Sequence, residues 1–108
     1  MSEEVNEPVA TARDKFFVIG DDDTVLGFRY AGLRGQAVSD EHQARLALQQ
    51  ALRAQTPIVI ITDVAASMIR DDVNEIRFEA STPILVEVPT RSGPIEGRPS
   101  LMELIREA

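Results

Sequence analysis

Four aspartates are the residues of this chain whose type and spacing could do chemistry. Asp21, Asp22 and Asp23 follow an apolar run in "VIGDDDTVLGF", and Asp63 follows a second apolar run in "IVIITDV". Carboxylates gathered at strand ends can coordinate Mg²⁺ through oxygen, and one of them could then accept a phosphoryl group. The same residues can instead start helices. A side-chain oxygen at a helix N-terminus satisfies a backbone amide there, and negative charge in the first turn is worth a few tenths to about 1 kcal/mol. On that second reading Asp23 or Thr24 caps the first helix, and Asp63 does the same for the third.

The partners that phosphotransfer would need are missing. A phosphoryl group requires a nearby cation, and the only lysine, Lys15, precedes the first strand. Arg91 follows the fourth strand. Response-regulator receiver domains are similar in placing acids after the first and third strands, which would make Asp63 the phosphoacceptor, but they carry a fifth strand that this chain lacks. Gly20, Gly27 and Gly32 form neither a dinucleotide fingerprint nor a P-loop, and acidic side chains would repel a phosphate. Ser92 has no evident base. Glu87, inside "ILVEVP", suits an edge or strand-end position. With no cysteine and a single histidine, His42, at the exposed start of a helix, there is no thiol nucleophile and no histidine-pair metal site. No catalytic residue, cofactor or metal site is predicted. Gly27 is unusual within a helix, where it costs about 1 kcal/mol against alanine. A close approach by the sheet or by a partner would account for it.

The elements that position these residues alternate along the chain. "KFFVIG" reads as a buried strand. "DDTVLGFRYAGL" reads as a helix with Val25, Phe28 or Arg29, and Leu33 at helical spacing, closed by Gly32 or Gly35. A short second strand is expected around Gln36 to Val38. "SDEHQARLALQQALRAQ" is the clearest helix: Ala44, Ala47, Leu48, Ala51 and Leu52 form one stripe, capped by Ser39 or Asp40. "IVIIT" is a continuous β-branched run, as in a central parallel strand covered on both faces. "DVAASMIRDDVNEIRFEA" reads as one third helix with Ala65, Ile69, Val73 and Ile76 inward and Arg70, Asp71, Glu75 and Arg77 outward. "TPILVEVP" is the fourth strand. "TRSGPIEGRP" is a Gly/Pro loop, and "SLMELIREA" is a short terminal helix opened by a Ser100–Glu103 capping box. The order βαβαβαβα predicts an α/β fold: a four-stranded parallel sheet flanked by helices, receiver- or Rossmann-like, with a short C-terminal helix. The expected division is a flexible acidic N-terminal tail over 1–14, a globular domain over 15–90, and the loop and terminal helix over 91–108.

Bulk properties narrow the function further. The chain has 108 residues, 44% hydrophobic and 27% charged, with net charge −7. Its ten arginines and one lysine are scattered, so the basic patch that a nucleic-acid binder needs is absent. No apolar run approaches the roughly 20 residues of a membrane span. The N-terminus lacks the apolar core of a signal peptide, so a cytoplasmic protein is expected.

Three blocks resemble one family. "FFVIGDDDTVLGFRYAGL" is similar to the opening of the F subunit of V-type ATPases, the rotary pumps of vacuolar and archaeal type, with Gly20, Asp21, Asp23, Thr24, Val25, Gly27, Phe28, Ala31 and Gly32 matching in place. "IVIITDVAASMIRDDV" resembles the next block through Ala65, Ile69 and Arg70. "TPILVEVPTRSGPIEGRPSLMELI" resembles the last, with Thr90 where the family often has serine. The likeness runs from about residue 16 to residue 106.

The resemblance implies a non-catalytic rotor component of the central stalk. It would bind the coiled-coil shaft, the D subunit, inside the A/B catalytic hexamer, near the cap of the stalk, and reach the cytoplasmic face of the membrane only through the complex. Its C-terminal helix would be mobile and regulatory. The residues add a reason: a helix of about nine residues is marginal alone, so one with Leu101, Leu104 and Ile105 on its apolar face and an adaptable Met102 docks weakly, on its own sheet or on the shaft. The expected interface comprises Pro89, Thr90, Arg91 and the terminal Leu101, Met102, Leu104 and Ile105, with Phe28 and Arg29 as second choices.

Overall fold

The computed structural model describes residues 12–79 and 82–90. Four strands, β1 (Phe16–Gly20), β2 (Arg34–Ala37), β3 (Ile58–Thr62) and β4 (Ile84–Val88), form one all-parallel sheet in the order β2-β1-β3-β4. Between them lie α1 (Asp22–Tyr30), α2 (Glu41–Arg53), α3 (Asp63–Met68) and α4 (Arg70–Glu79). This is the predicted α/β fold. The predicted tail over 1–14 is largely outside the described residues, as are the loop and terminal helix over 91–108.

The two central strands are apolar on both faces because both faces are covered. Val18, Ile19, Val59 and Ile61 are wholly buried. One face carries the larger core, where Phe17, Ile19, Val59, Ile61 and Leu85 meet Ala44, Ala47, Leu48 and Ala51 of α2, together with Ala65, Ala66, Ile69 and Val73. The other face is thinner. There Val18 and Ile60 meet Val25 of α1, with Phe16, Phe28, Leu33, Ala37 and Val88 at the margin. The asymmetry follows from right-handed crossovers. The step from β1 to β2 runs one way along the sheet and puts α1 on one face. The steps to β3 and β4 run the other way and put α2, α3 and α4 on the opposite face.

Several local expectations need correction. The second strand is Arg34–Ala37 and not Gln36 to Val38, because pairing with β1 begins at Phe17 opposite Arg34. Leu52, expected in the core stripe of α2, is 38% exposed. It lies at the end of the helix beside an open cleft of about 350 Å³ shared with Ile76 of α4. The third helix is two helices. They break at Ile69 (φ −128°, ψ 44°), whose N–H donates to Ala66 O. An unbroken helix over 63–79 would run about 25 Å, well past five-residue strands of about 17 Å. The break lets α4 turn onto edge strand β4 while Ile69 and Val73 stay buried. Of the two glycines that could close α1, Gly32 does so. It sits at φ +93°, and Gly32 and Leu33 N–H donate to Arg29 O and Phe28 O, a Schellman close with Leu33 and Phe28 both packed on the sheet.

Glu87 is the polar member of edge strand β4, on the α4 side. It accepts from Arg70 Nη1 and, at 3.2 Å, from Arg77 Nη1, while Arg77 Nη2 donates to Leu85 O at 3.0 Å. The Arg70 guanidinium, seconded by Arg77, holds the Glu87 carboxyl below the usual carboxylate range. A carboxylate lowered on folding stabilises the fold above its unfolded value of about 4.3, and that contribution is lost as pH falls through the folded value. Glu87→Gln is therefore expected to lower the urea midpoint at pH 7, with the gap shrinking as pH falls below the unfolded value of about 4.3 and closing only beneath the lowered folded value. A gap independent of pH would show that the ion pair is not its source.

Candidate functional site

In a parallel α/β sheet, ligands bind outside the strand carboxyl ends where the strand order reverses. Here that point lies between β1 and β3, flanked by Gly20–Asp21 and Thr62–Asp63, so the four aspartates do reach the edge where chemistry would occur.

Two of the four carboxylates, those of Asp21 and Asp63, are engaged by the protein's own groups. Asp21, not Asp23 or Thr24, is the N-cap of α1. Its Oδ2 accepts from Thr24 N at 3.2 Å and its Oδ1 from Thr24 Oγ1 at 2.7 Å. Thr24 is buried, while Asp22 and Asp23 stand exposed in the first turn. Thr62, not Asp63, caps α3, its Oγ1 accepting from Ala65 N at 3.1 Å. The capping residue is in each case the last one in extended backbone (ψ 169° at Asp21, ψ 158° at Thr62), which is where a cap must sit. For α2 the choice falls on Asp40, which accepts from Gln43 N at 2.8 Å, with Ser39 donating to the Gln43 side chain.

At the seam of β1 and β3, Thr62 packs on Gly20. A Cβ on Gly20 would lie 2.5 Å from Thr62 Cγ2, so the glycine is required by the threonine methyl packed on it. Asp63 is turned away, toward β4. Its Oδ1 accepts from Thr90 N at 3.0 Å, Thr90 Oγ1 at 2.7 Å and Val64 N at 2.7 Å. This contact spans 27 positions in sequence and ties the start of α3 to the exit of β4. It weighs against the phosphoacceptor reading, since one of the two carboxylate oxygens is already the acceptor of three donors. Among the described residues no group of three or more acidic or histidine side chains is placed to hold a metal ion.

The predicted interface residues separate. Pro89 and Thr90 are half-buried at the strand carboxyl ends. Phe28 and Arg29 lie at the opposite end, since α1 runs antiparallel to β1. Phe28 belongs to the thin core, and exposed Arg29 donates to Gly35 O at 3.3 Å. Arg91, Leu101, Met102, Leu104 and Ile105 are outside the described residues. The Asp63–Thr90 bond was missed in the sequence, where the only signal was a hydroxyl one residue beyond Pro89. The exposed apolar pair Ile84 and Val86 was missed as well.

These features define a small parallel α/β module whose Asp21 and Asp63 carboxylates are engaged by its own backbone and hydroxyl groups. The sequence profile of the ATP synthase (F/14-kDa) subunit family matches residues 16–105. The chain is similar to the F subunit of the A-type ATP synthase of Pyrococcus furiosus, 35% identical over 100 residues, covering 87% of this chain and 92% of that one. The F subunit of the Methanocaldococcus jannaschii enzyme is 32% identical over 96 residues, covering 87% and 93%. That of Methanothermobacter thermautotrophicus is 32% identical over 80 residues, covering 73% and 76%. The chain belongs to the ATP synthase (F/14-kDa) subunit family.

The Gly20–Thr62 contact is testable. Gly20→Ala is expected to destabilise the protein by about 1–3 kcal/mol through overpacking. Thr62→Ser removes the offending methyl and keeps the cap. In a double-mutant cycle it should recover much of that loss, with a coupling energy of about 1 kcal/mol or more. Additive effects in chemical denaturation would show that the two side chains do not meet.

Proposed function

We propose that this chain is the non-catalytic F subunit of the central stalk of an A/V-type rotary ATPase. It binds the coiled-coil shaft, the D subunit, turns with it within the A/B hexamer, and couples ATP hydrolysis or synthesis to ion transport. The observation that carries the reading is the family match over residues 16–105, nearly the whole domain. The bonds that Asp21 and Asp63 already make support a binding role over a catalytic one. No helix among the described residues is long and apolar enough to cross a membrane, in keeping with attachment to the membrane's cytoplasmic face through the complex alone.

The shaft-facing surface is the carboxyl end of β4, with Pro89, Thr90 and Arg91, continued by the terminal segment. One feature supports this end: the Asp63–Thr90 bond ties the exit down, and a rigid anchor loses little entropy on binding. The terminal segment is the regulatory element, exchanging between two docking sites separated by a small free-energy gap.

Co-expression with the coiled-coil shaft protein of the same organism, followed by size-exclusion chromatography, tests the reading. A stable one-to-one complex is expected. Thr90→Arg together with Arg91→Glu should weaken it about tenfold or more, and Arg29→Glu, at the other end, should leave it nearly unchanged. Separate elution of the unaltered proteins would overturn the stalk assignment.

A further inference from the structure

α2 and α4 both cover the larger core, with α3 packed on each of them. The two helices stand apart along the rest of their length and leave the open cleft of about 350 Å³. Its floor is apolar. α2 contributes buried Leu48 and, one turn on, Leu52, which is 38% exposed, and α4 contributes half-buried Ile76. The α4 wall is acidic, because Asp72, Glu75 and Glu79 flank Ile76 at helical spacing. Arg45 is the one cation lining the cleft among the described residues, and it is already engaged. Its Nε donates to Asp72 at 2.7 Å and its Nη2 to Glu41 at 2.9 Å. Glu75 and Glu79 stand exposed, with no ion pair among the described residues.

Charge decides what can cover this apolar floor. A second copy of the chain brings the same acidic wall and a net charge of −7, and like charge opposes association. Nucleic acid and anionic lipid are repelled for the same reason. The chain's own ends match no better. Residues 1–11 hold three glutamates and no lysine or arginine, and residues 100–108 hold two glutamates and one arginine. A cationic segment with an apolar stripe does match. From Arg45 to Leu52 the α2 side of the cleft runs two helical turns, about 10 Å. Two helices side by side over that length form a seat for a third laid along them, with large apolar side chains on the floor. The apolar contact would supply affinity, and the acidic wall would select the partner and its orientation.

We propose that the cleft between α2 and α4 is a docking groove for a basic amphipathic helix of another chain. Its apolar side chains seat on Leu48, Leu52 and Ile76, and its lysines or arginines face Glu75 and Glu79. This surface is separate from the exit of β4, and the proposal does not depend on the stalk reading.

The probe is a synthetic peptide of about 15 residues, with leucines on one helical face and lysines flanking them. A second peptide of the same composition has its leucines spread around the helix. Titrated by fluorescence anisotropy against the full chain, the first should bind about tenfold or more tightly than the second. Leu52→Gln, and separately Glu75→Lys with Glu79→Lys, should each weaken it about tenfold. All three positions are exposed, so the domain stays folded. Asp14→Lys with Asp22→Lys makes the same change in net charge at exposed positions away from the cleft, and should weaken binding about twofold or less. Equal binding of the two peptides, or equal effects of the two charge reversals, would reduce the contact to general attraction between a basic peptide and an acidic protein. Either result would overturn the groove, as would unchanged binding by Leu52→Gln. Two results on the free protein would overturn it too. Self-association in sedimentation that Leu52→Gln abolishes would give the cleft to a second copy. Nuclear Overhauser contacts from Leu52 to residues 101–105 would give it to the chain's own end.

Discussion

The pairing of β1 with β3 is the constraint on which the rest of the structure depends. These strands have neighbours on both edges and helices above and below, so every outward position must be apolar or small. Val18, Ile19, Val59 and Ile61 meet that demand with no exposed surface. The same pairing sets the point where strand order reverses and brings the carboxyl ends of β1 and β3 side by side. Burial at this seam contributes about 1.5–3 kcal/mol for each large aliphatic side chain, and no other strand pair in the sheet is so completely covered.

What the pairing brings together, local contacts then hold. Gly20 and Thr62 meet at this seam, the threonine setting its methyl against the glycine while its hydroxyl caps α3. Two acidic residues at the seam serve as a cap and a tie. Asp21 holds the first turn of α1, and Asp63 holds the exit of β4 through Thr90. A fold shared with signalling and nucleotide-binding domains thus has these two carboxylates engaged by its own residues. Fold alone does not distinguish these roles; the fate of each carboxylate does.

The two faces of the sheet differ in a way that bears on function. Three helices cover one face and α1 covers part of the other. The larger core gives the module its stability. The thinner face ends in the exposed pair Ile84 and Val86 beside the exit of the chain. Edge strand β4 is held to α4 from the covered side by Glu87 with Arg70 and Arg77, so its open face is firm as well as apolar. A firm surface requires little ordering when another group docks on it.

The sequence by itself determined the order of strands and helices, the parallel sheet and the family. Each rests on local periodicity: a continuous β-branched run in "IVIIT", a 3.6-residue stripe through Ala44, Ala47, Leu48 and Ala51, and three motif blocks in fixed order. Tertiary structure decided what periodicity does not carry. Asp23 and Thr24 fit the cap in sequence, yet Asp21 takes it, because β1 ends its extended backbone there. Ile69 belongs to an unbroken apolar pattern, yet the helix breaks there because short strands leave no room for a straight one. Asp63 meets Thr90, and Glu87 meets Arg70, across 27 and 17 positions, separations that only the crossover topology closes. Leu52 fits the stripe of α2 but emerges beside a cleft, because burial depends on which neighbour stands opposite. Spacing within a turn or a strand is written in adjacent residues, whereas contact between elements is set by how the sheet is wound.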